Sequence, residues 1–240
     1  MAETGLGYAW AFAILRQIEQ TSLTNLIDTN LDASVATNLS VAQKAVVTSY
    51  LCATDSPPQT FDVTDGSGTT LSLPSSNYVG IAGYANVTMN PGQGTGIFYR
   101  NSQTRFRDIA DGTSTTICVG ERRHQHDFNS PVTPVAANST WYAAIPGVIR
   151  PAGMMMMPMM TEGSASMILG HVGQAAMMGM PAMQRTPNTT NHIVHFSSSH
   201  IGGVQFLLCD GSAHFISENI DYAVFRNPGE RADGNVIGEF

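Results

Sequence analysis

The stretch from Val204 to Ser217, VQFLLC-DG-SAHFIS, constrains the fold more than any other part of the chain. Two runs rich in apolar and aromatic residues meet at Asp210-Gly211, which reads as a β-hairpin with a two-residue loop. Pairing across that loop sets Cys209 opposite Ser212, Leu208 opposite Ala213 and Phe206 opposite Phe215. One face then carries Phe206, Leu208, Ala213 and Phe215 and is expected to be core. The other carries Leu207, Cys209, Ser212 and His214. An antiparallel sheet is therefore expected near the C-terminal end.

Upstream, residues 8–28 predict an amphipathic helix, with Trp10, Ile14 and Ile18 repeating at spacing four. A second short helix is expected over 40–46 with Ser40 as its N-cap. VVTSYLC reads as a strand ending at Cys52, and TDSPPQTFDVTDGSGTT as a loop. Short strands are expected in SNYVGIAGYANVTM, GIFYRN, TRFRDI and TTICVGER. Residues 127–150 read as loop around the apolar island WYAAIPGVI. The fold class expected is α+β: an N-terminal helix packed on a mainly antiparallel sheet, residues 1–240 forming one domain.

Composition removes whole classes of function. Among 240 residues only 12% are charged, against roughly 25% in ordinary soluble domains. One lysine, Lys44, stands against ten arginines, while Ser, Thr and Asn sum to 57, so the surface is polar but largely uncharged. A net charge of −7 with scattered arginines offers no footprint for nucleic acid. No run of 18 apolar residues spans a membrane, and no charged-then-apolar leader opens the chain. The low-charge, Ser/Thr/Asn-rich surface favours an exported protein. Methionine is the second anomaly: of 13, 11 fall between Met154 and Met183, within the low-complexity stretch 151–187.

Phe196-Ser-Ser-Ser-His200-Ile-Gly202-Gly203, followed by VQFLLC and Asp210-Gly211-Ser212, gives a His-x9-Asp-Gly pattern. It resembles the signature of a prepilin-like family, mostly planctomycete, known as domain of unknown function 1559 or bacterial solute-binding family 10. GLGYAWAFAILRQIEQTSL is similar to the family's first helix and YLCATDSPP to its "FLCPSDP" segment. GIFYRNSQTRFRDIADGTSTTICVGER resembles its "GvFyrns..rf.dItDGTSnTllvGEr" segment, and the tail from Phe215 also agrees. The resemblance covers most of the chain except 123–190. It implies a pilin- or pseudopilin-like head, extracytoplasmic, met by the membrane only through an N-terminal helix that this sequence lacks. It carries no reaction. It also implies that Cys52 pairs with a cysteine just after the anchor helix, leaving Cys118 and Cys209 to pair if their strands are neighbours and their Cα atoms lie within about 7 Å.

Candidate sites divide into structural and chemical readings. His200 and Asp210 are expected at opposite ends of one strand whose residues 204–209 span about 17 Å at roughly 3.4 Å per residue, with Gly202-Gly203 and Asp210-Gly211 as turns. The alternative is a ligand or catalytic pair. Asp108, Asp111, Gly112 and Thr113 suit a capped turn or, less well, a calcium-type oxygen cluster. His124 and His126 share a face if their segment is a strand, and a metal there needs a third ligand from His171, His192 or His195. Met154, Met155, Met156, Met157, Met159, Met160, Met177, Met178, Met180 and Met183, with His171, suit either an adaptable packing loop or soft Cu(I) coordination. Tyr78, Tyr84, Tyr99, Trp141 and Tyr142 are candidate solute or glycan contacts. No hydrolase elbow, zincin, P-loop or dinucleotide fingerprint occurs. The function expected is a non-enzymatic cell-surface structural or interaction module that requires no cofactor and partners itself or other pilus-like proteins. The alternatives are a solute- or glycan-binding module and Cu(I) binding by the Met-rich stretch.

Overall fold

The computed structural model describes residues 5–128, 134–154, 159–176 and 182–235. The class is α+β, with short helices and several mostly antiparallel sheets. Helices α1 (Trp10–Ala13), α2 (Thr21–Asn25) and α3 (Ala36–Lys44) precede the sheets, and α4 (Tyr222–Arg226) follows them. Strands run β1 (Thr60–Thr64), β2 (Thr70–Ser76), β3 (Tyr78–Ile81), β4 (Ile117–Glu121), β5 (Gln125–His126), β6 (Val135–Ala136) and β7 (Ser139–Thr140). They continue with β8 (Ile149–Pro151), β9 (Thr161–Gly163), β10 (Leu169–Gly170), β11 (Gly173–Gln174), β12 (Met183–Gln184), β13 (Gly203–Leu208) and β14 (Ala213–Ser217). The largest sheet has the order β10-β3-β4-β13-β14, all antiparallel except β10 beside β3. A second sheet, β1-β2-β7, lies over the N-terminal segments.

The long N-terminal helix is not formed. The 8–28 segment breaks into α1, a 3-10 turn at Leu15–Ile18 and α2, and Glu19 closes that turn in the left-handed region at φ 63°. Its buried residues include Ala11, Phe12, Leu15 and Ile27, while Ile14 stays exposed. They meet Tyr50, Leu73, Trp141 and Tyr142 in one core cluster, so a broken segment wraps a compact aromatic centre that a straight rod would only graze. The second helix starts earlier than expected, with Val35 at its N-cap, and Ser40 lies inside it, its hydroxyl bonded to the Thr37 carbonyl.

Other local expectations are corrected too. VVTSYLC forms a 3-10 turn at Thr48–Tyr50 rather than a strand. The loop read over 54–70 contains β1 and leads into a β1–β2 hairpin, turned by Asp65, whose carboxylate accepts from the amides of Ser67 and Thr69. GIFYRN is irregular, and TRFRDI supplies only a 3-10 turn at Phe106–Asp108.

The C-terminal hairpin exists, one residue out of the expected register. Leu207 faces Ala213, Phe206 faces His214 and Val204 faces Ile216. The loop holds three residues, Cys209, Asp210 and Gly211, with Gly211 at φ 91° in the position that favours glycine. A one-residue slip turns every side chain of a strand to the other face. Ile216 therefore fills the core with Val204, Phe206 and Leu208, and Phe215 is left 46% exposed.

The Met-rich stretch is partly built into the fold. Its 161–174 portion supplies β9, β10 and β11, and Met167, Leu169 and Val172 are buried core residues. Met183 is buried, Met154 and Met160 are half-buried and Met159 is exposed. Met155, Met156, Met157, Met177, Met178 and Met180 lie outside the described residues.

Candidate functional site

Three segments distant in sequence meet at the end of β4. Cys52 follows the Thr48–Tyr50 turn, Glu121 ends β4, and His200 lies on the loop before β13. His200 Nε2 stands 3.5 Å from Cys52 Sγ and 3.4 Å from Glu121 Oε1. The thiol, carboxylate and imidazole donors all lie within 4.8 Å of one another.

Each donor is held in place. The Cys52 amide donates to Asn77 Oδ1, and Thr54 Oγ1 lies 3.1 Å from Sγ. Glu121 is 3% exposed, and its Oε2 accepts the Gln205 amide at 2.9 Å, which fixes the carboxylate and leaves Oε1 toward His200. The His200 amide donates to Ser198 Oγ, and Gly202, at φ 86°, turns the chain directly into β13. Tyr78 lies close by; burial, with Glu121 and Cys52 adding to it, pushes its phenol up to about 12. The cluster is sealed on the protein side and partly open at His200, whose side chain is 31% exposed.

The framework behind it is polar and buried. Asp55 accepts from the His124 ring at 2.8 Å, the His124 amide at 2.8 Å and the Asn77 amide group. Arg122, fully buried, spreads its guanidinium over the carbonyls of His195, Ser166 and Leu169. Burial lowers that guanidinium to about 9.

A second cluster lies deeper. His171, His192 and His195 pack ring against ring, with centroids 4.9, 4.9 and 5.9 Å apart. His192 Nε2 meets Glu162 Oε1 at 2.8 Å, and His171 Nδ1 accepts the Gly173 amide at 3.0 Å. His192 Nδ1 and both His195 nitrogens find no protein partner. Burial drives His171 and His195 well below the ordinary imidazole range, so both are neutral.

The alternative of a His124/His126 metal pair is not assembled among the described residues. His124 turns to Asp55 while His126 is buried against Ser197 Oγ at 2.7 Å, and the three histidines considered as their third ligand form their own group. His200 and Asp210 do stand apart, as turn positions at the two ends of β13. Asp210 accepts from the Ser212 amide and hydroxyl within its own loop, and only His200 enters a cluster. Asp108 closes its turn by accepting the Arg105 amide. Asp111 fastens the C-terminal segment by accepting the amides of Asp233 and Gly234, Gly112 sits at φ 101°, and the Thr113 carbonyl accepts from Asp210. Neither cluster of possible metal ligands among the described residues includes these aspartates.

Cys118 and Cys209 are thiols, so the expected bridge is not formed. Cys118 on β4 lies beside Cys209 in the hairpin loop, and the hydrogen bond between them lowers the Cys118 thiol and raises that of Cys209. Cys52 is a buried thiol as well.

A cleft of about 480 Å³ opens elsewhere, between the N-terminal turn and the 91–102 loop. Tyr8, Trp10, Phe98, Tyr99, Arg100 and Asn101 line it. Trp10 stacks on Phe98 with centroids 5.2 Å apart, and its indole N–H donates to the Ile168 carbonyl. Of the aromatic residues expected to contact a solute, only Tyr99 lines this cleft. Trp141 and Tyr142 are sealed in the core, Tyr78 is half-buried beside Glu121, and Tyr84 lies under the Arg226 guanidinium at 3.9 Å. Sequence reasoning missed Trp10 and Phe98 as cleft walls, although GIFYRN was one of the segments carrying the family resemblance.

No helix among the described residues is long and apolar enough to cross a membrane. No curated protein and no solved structure matches the chain. A family model does match, over residues 2–223, under the description "Protein of unknown function (DUF1559)", SBP_bac_10. That match covers nearly the whole sequence, and the chain belongs to this family.

Proposed function

We propose that this chain is a non-enzymatic extracytoplasmic module that works by binding, and that its cleft holds a small solute or a glycan unit. The cleft carries this reading. Its volume lies within the roughly 300–1,000 Å³ of small-ligand sites, and its walls join aromatic faces to a few polar groups. Stacked Trp10 and Phe98 and neighbouring Tyr99 offer flat apolar surface, while Arg100, Asn101 and Ser102 supply hydrogen-bonding groups at the rim. The family's solute-binding label and the export-type composition agree with it.

The test is a thermal-shift and tryptophan-fluorescence screen against neutral oligosaccharides, short peptides and amphipathic solutes. A hit that shifts both signals and is lost in Tyr99→Ala supports the reading. No response from any class, or a response that Tyr99→Ala leaves intact, overturns it.

A second reading is the structural or interaction module expected from the prepilin-like resemblance. Ile201 is 99% exposed, and Leu207 and Phe215 stand on the outer face of the hairpin that ends in edge strand β14. Exposed apolar side chains beside an unpaired edge suit docking of another surface protein or a second copy. Sedimentation of the chain and of a Phe215→Asp variant tests this: self-association lost in the variant supports it, and a monomer at all concentrations counts against it.

A further inference from the structure

We propose that Cys52, Glu121 and His200 form a binding site for a divalent zinc-class cation. The strongest observation is a pair of distances. Zinc holds thiolate at about 2.3 Å and imidazole nitrogen or carboxylate oxygen at about 2.0–2.2 Å, in tetrahedral geometry. A tetrahedron with those bonds has a sulfur–nitrogen edge of about 3.6 Å and a nitrogen–oxygen edge of about 3.3 Å. The protein shows 3.5 Å for Cys52 Sγ to His200 Nε2 and 3.4 Å for His200 Nε2 to Glu121 Oε1.

A hydrogen-bonding account of the same cluster is poor. One nitrogen, Nε2, faces both sulfur and carboxylate, and it has one proton or one lone pair to offer. Both contacts are long for a charge-assisted hydrogen bond, which runs about 2.7–2.9 Å. A cation between the three groups satisfies all of them at once.

The charge and the second layer of contacts also fit. Glu121 is buried, and a buried carboxylate requires a counter-charge. The guanidinium of neighbouring Arg122 is directed to three carbonyls, and among the described residues the basic side chain within ion-pair distance of Glu121 is the His200 imidazole, which carries charge only when protonated. Binding converts the Cys52 thiol to thiolate and releases one proton to solvent, so thiolate and carboxylate together neutralise the dication. The Gln205 amide on Glu121 Oε2 and the Thr54 hydroxyl beside Sγ are the outer contacts that orient such ligands. Three protein donors leave a fourth corner for water or an incoming ligand atom.

The buried histidine cluster is the less suitable of the two. His171 already uses Nδ1 to accept the Gly173 amide, which places its proton on Nε2. The three-donor cluster at the end of β4 also shares no residue with the cleft, so failure of either proposal leaves the other standing.

The test is cobalt(II) titration of the 240-residue chain in reductant, followed by zinc competition. One equivalent of cobalt is expected, with the near-ultraviolet thiolate-to-cobalt charge-transfer band. Cys52→Ser abolishes that band. His200→Ala and Glu121→Gln weaken zinc by more than the roughly 10–100-fold that outer contacts command. Circular dichroism checks that each variant is folded, and His195→Leu, which leaves the three donors intact, keeps the band. No bound cobalt, or bound cobalt whose spectrum lacks the thiolate band or is unchanged in Cys52→Ser, overturns the proposal.

Discussion

The two ligand-type clusters have the same number of members and opposite preparation. At the end of β4 three chemically different donors, a thiol, a carboxylate and an imidazole, converge with their free atoms facing one another. In the deeper cluster three imidazoles meet ring to ring, and three nitrogens find no protein partner. The first is partly open and carries the counter-charge a cation needs. The second is sealed, with His171 and His195 neutral and its carboxylate, Glu162, already bonded to His192 and to the Thr88 hydroxyl. Proximity of ligand-type residues is therefore not enough: the orientation of lone pairs and the charge of the set decide whether a cluster is built for an ion or for packing.

Arg122 joins the two. It follows Glu121 in the chain while its guanidinium holds the His195 carbonyl. Arg122→Ala strands three buried carbonyls and is expected to cost about 5 kcal/mol, the upper end for breaking a buried charged network. Urea unfolding measures it, and a loss below about 1 kcal/mol would show that the two clusters are mechanically independent.

The next effect separates the clusters by pH. His126, His171 and His195 are buried and held well below the ordinary imidazole range, chiefly by desolvation. In the unfolded chain each titrates near 6.5, so below that pH the unfolded state binds protons that the folded state does not. Stability is then full above 6.5 and falls as pH drops. Three such groups predict a loss of roughly 4 kcal/mol between pH 7.5 and 5.5. His195→Leu removes about a third of that loss. A pH-independent urea midpoint over this range contradicts the neutral, buried description.

Hairpin register gives the third contrast. Ile216→Ala opens the core and is expected to cost about 2–5 kcal/mol, while Phe215→Ala costs less than about 1 kcal/mol. The order inverts if the register with Phe206 opposite Phe215 is the true one. Smallest of all, His195→Leu at pH 7.5 is expected within about 1 kcal/mol of the parent, because both its nitrogens lack protein partners. A large loss would show that His195 bonds something essential, and the deeper cluster would then need a ligand.

Much of this was legible in the chain, and the failures share a physical cause. The Asp210-Gly211 turn and the alternation around it gave the hairpin. They did not give its register, because two-residue and three-residue loops both place a glycine there and differ by one residue of slip. The 3.6-residue pattern over 8–28 was read as one helix, but tertiary packing of Phe12 and Leu15 against the Trp141–Tyr142 core bends the segment into three turns. The site was legible only in pieces. The resemblance marked YLC, VGER and SSSH separately. Nothing in spacing announces that Cys52 and His200, 148 residues apart, touch.

The most direct test compares the two clusters in one zinc titration against a chromogenic chelator. The account predicts one tightly held equivalent in the parent chain and in His195→Leu, and its loss in His200→Ala. Zinc retained by His200→Ala and lost by His195→Leu would contradict it and move the site to the deeper cluster.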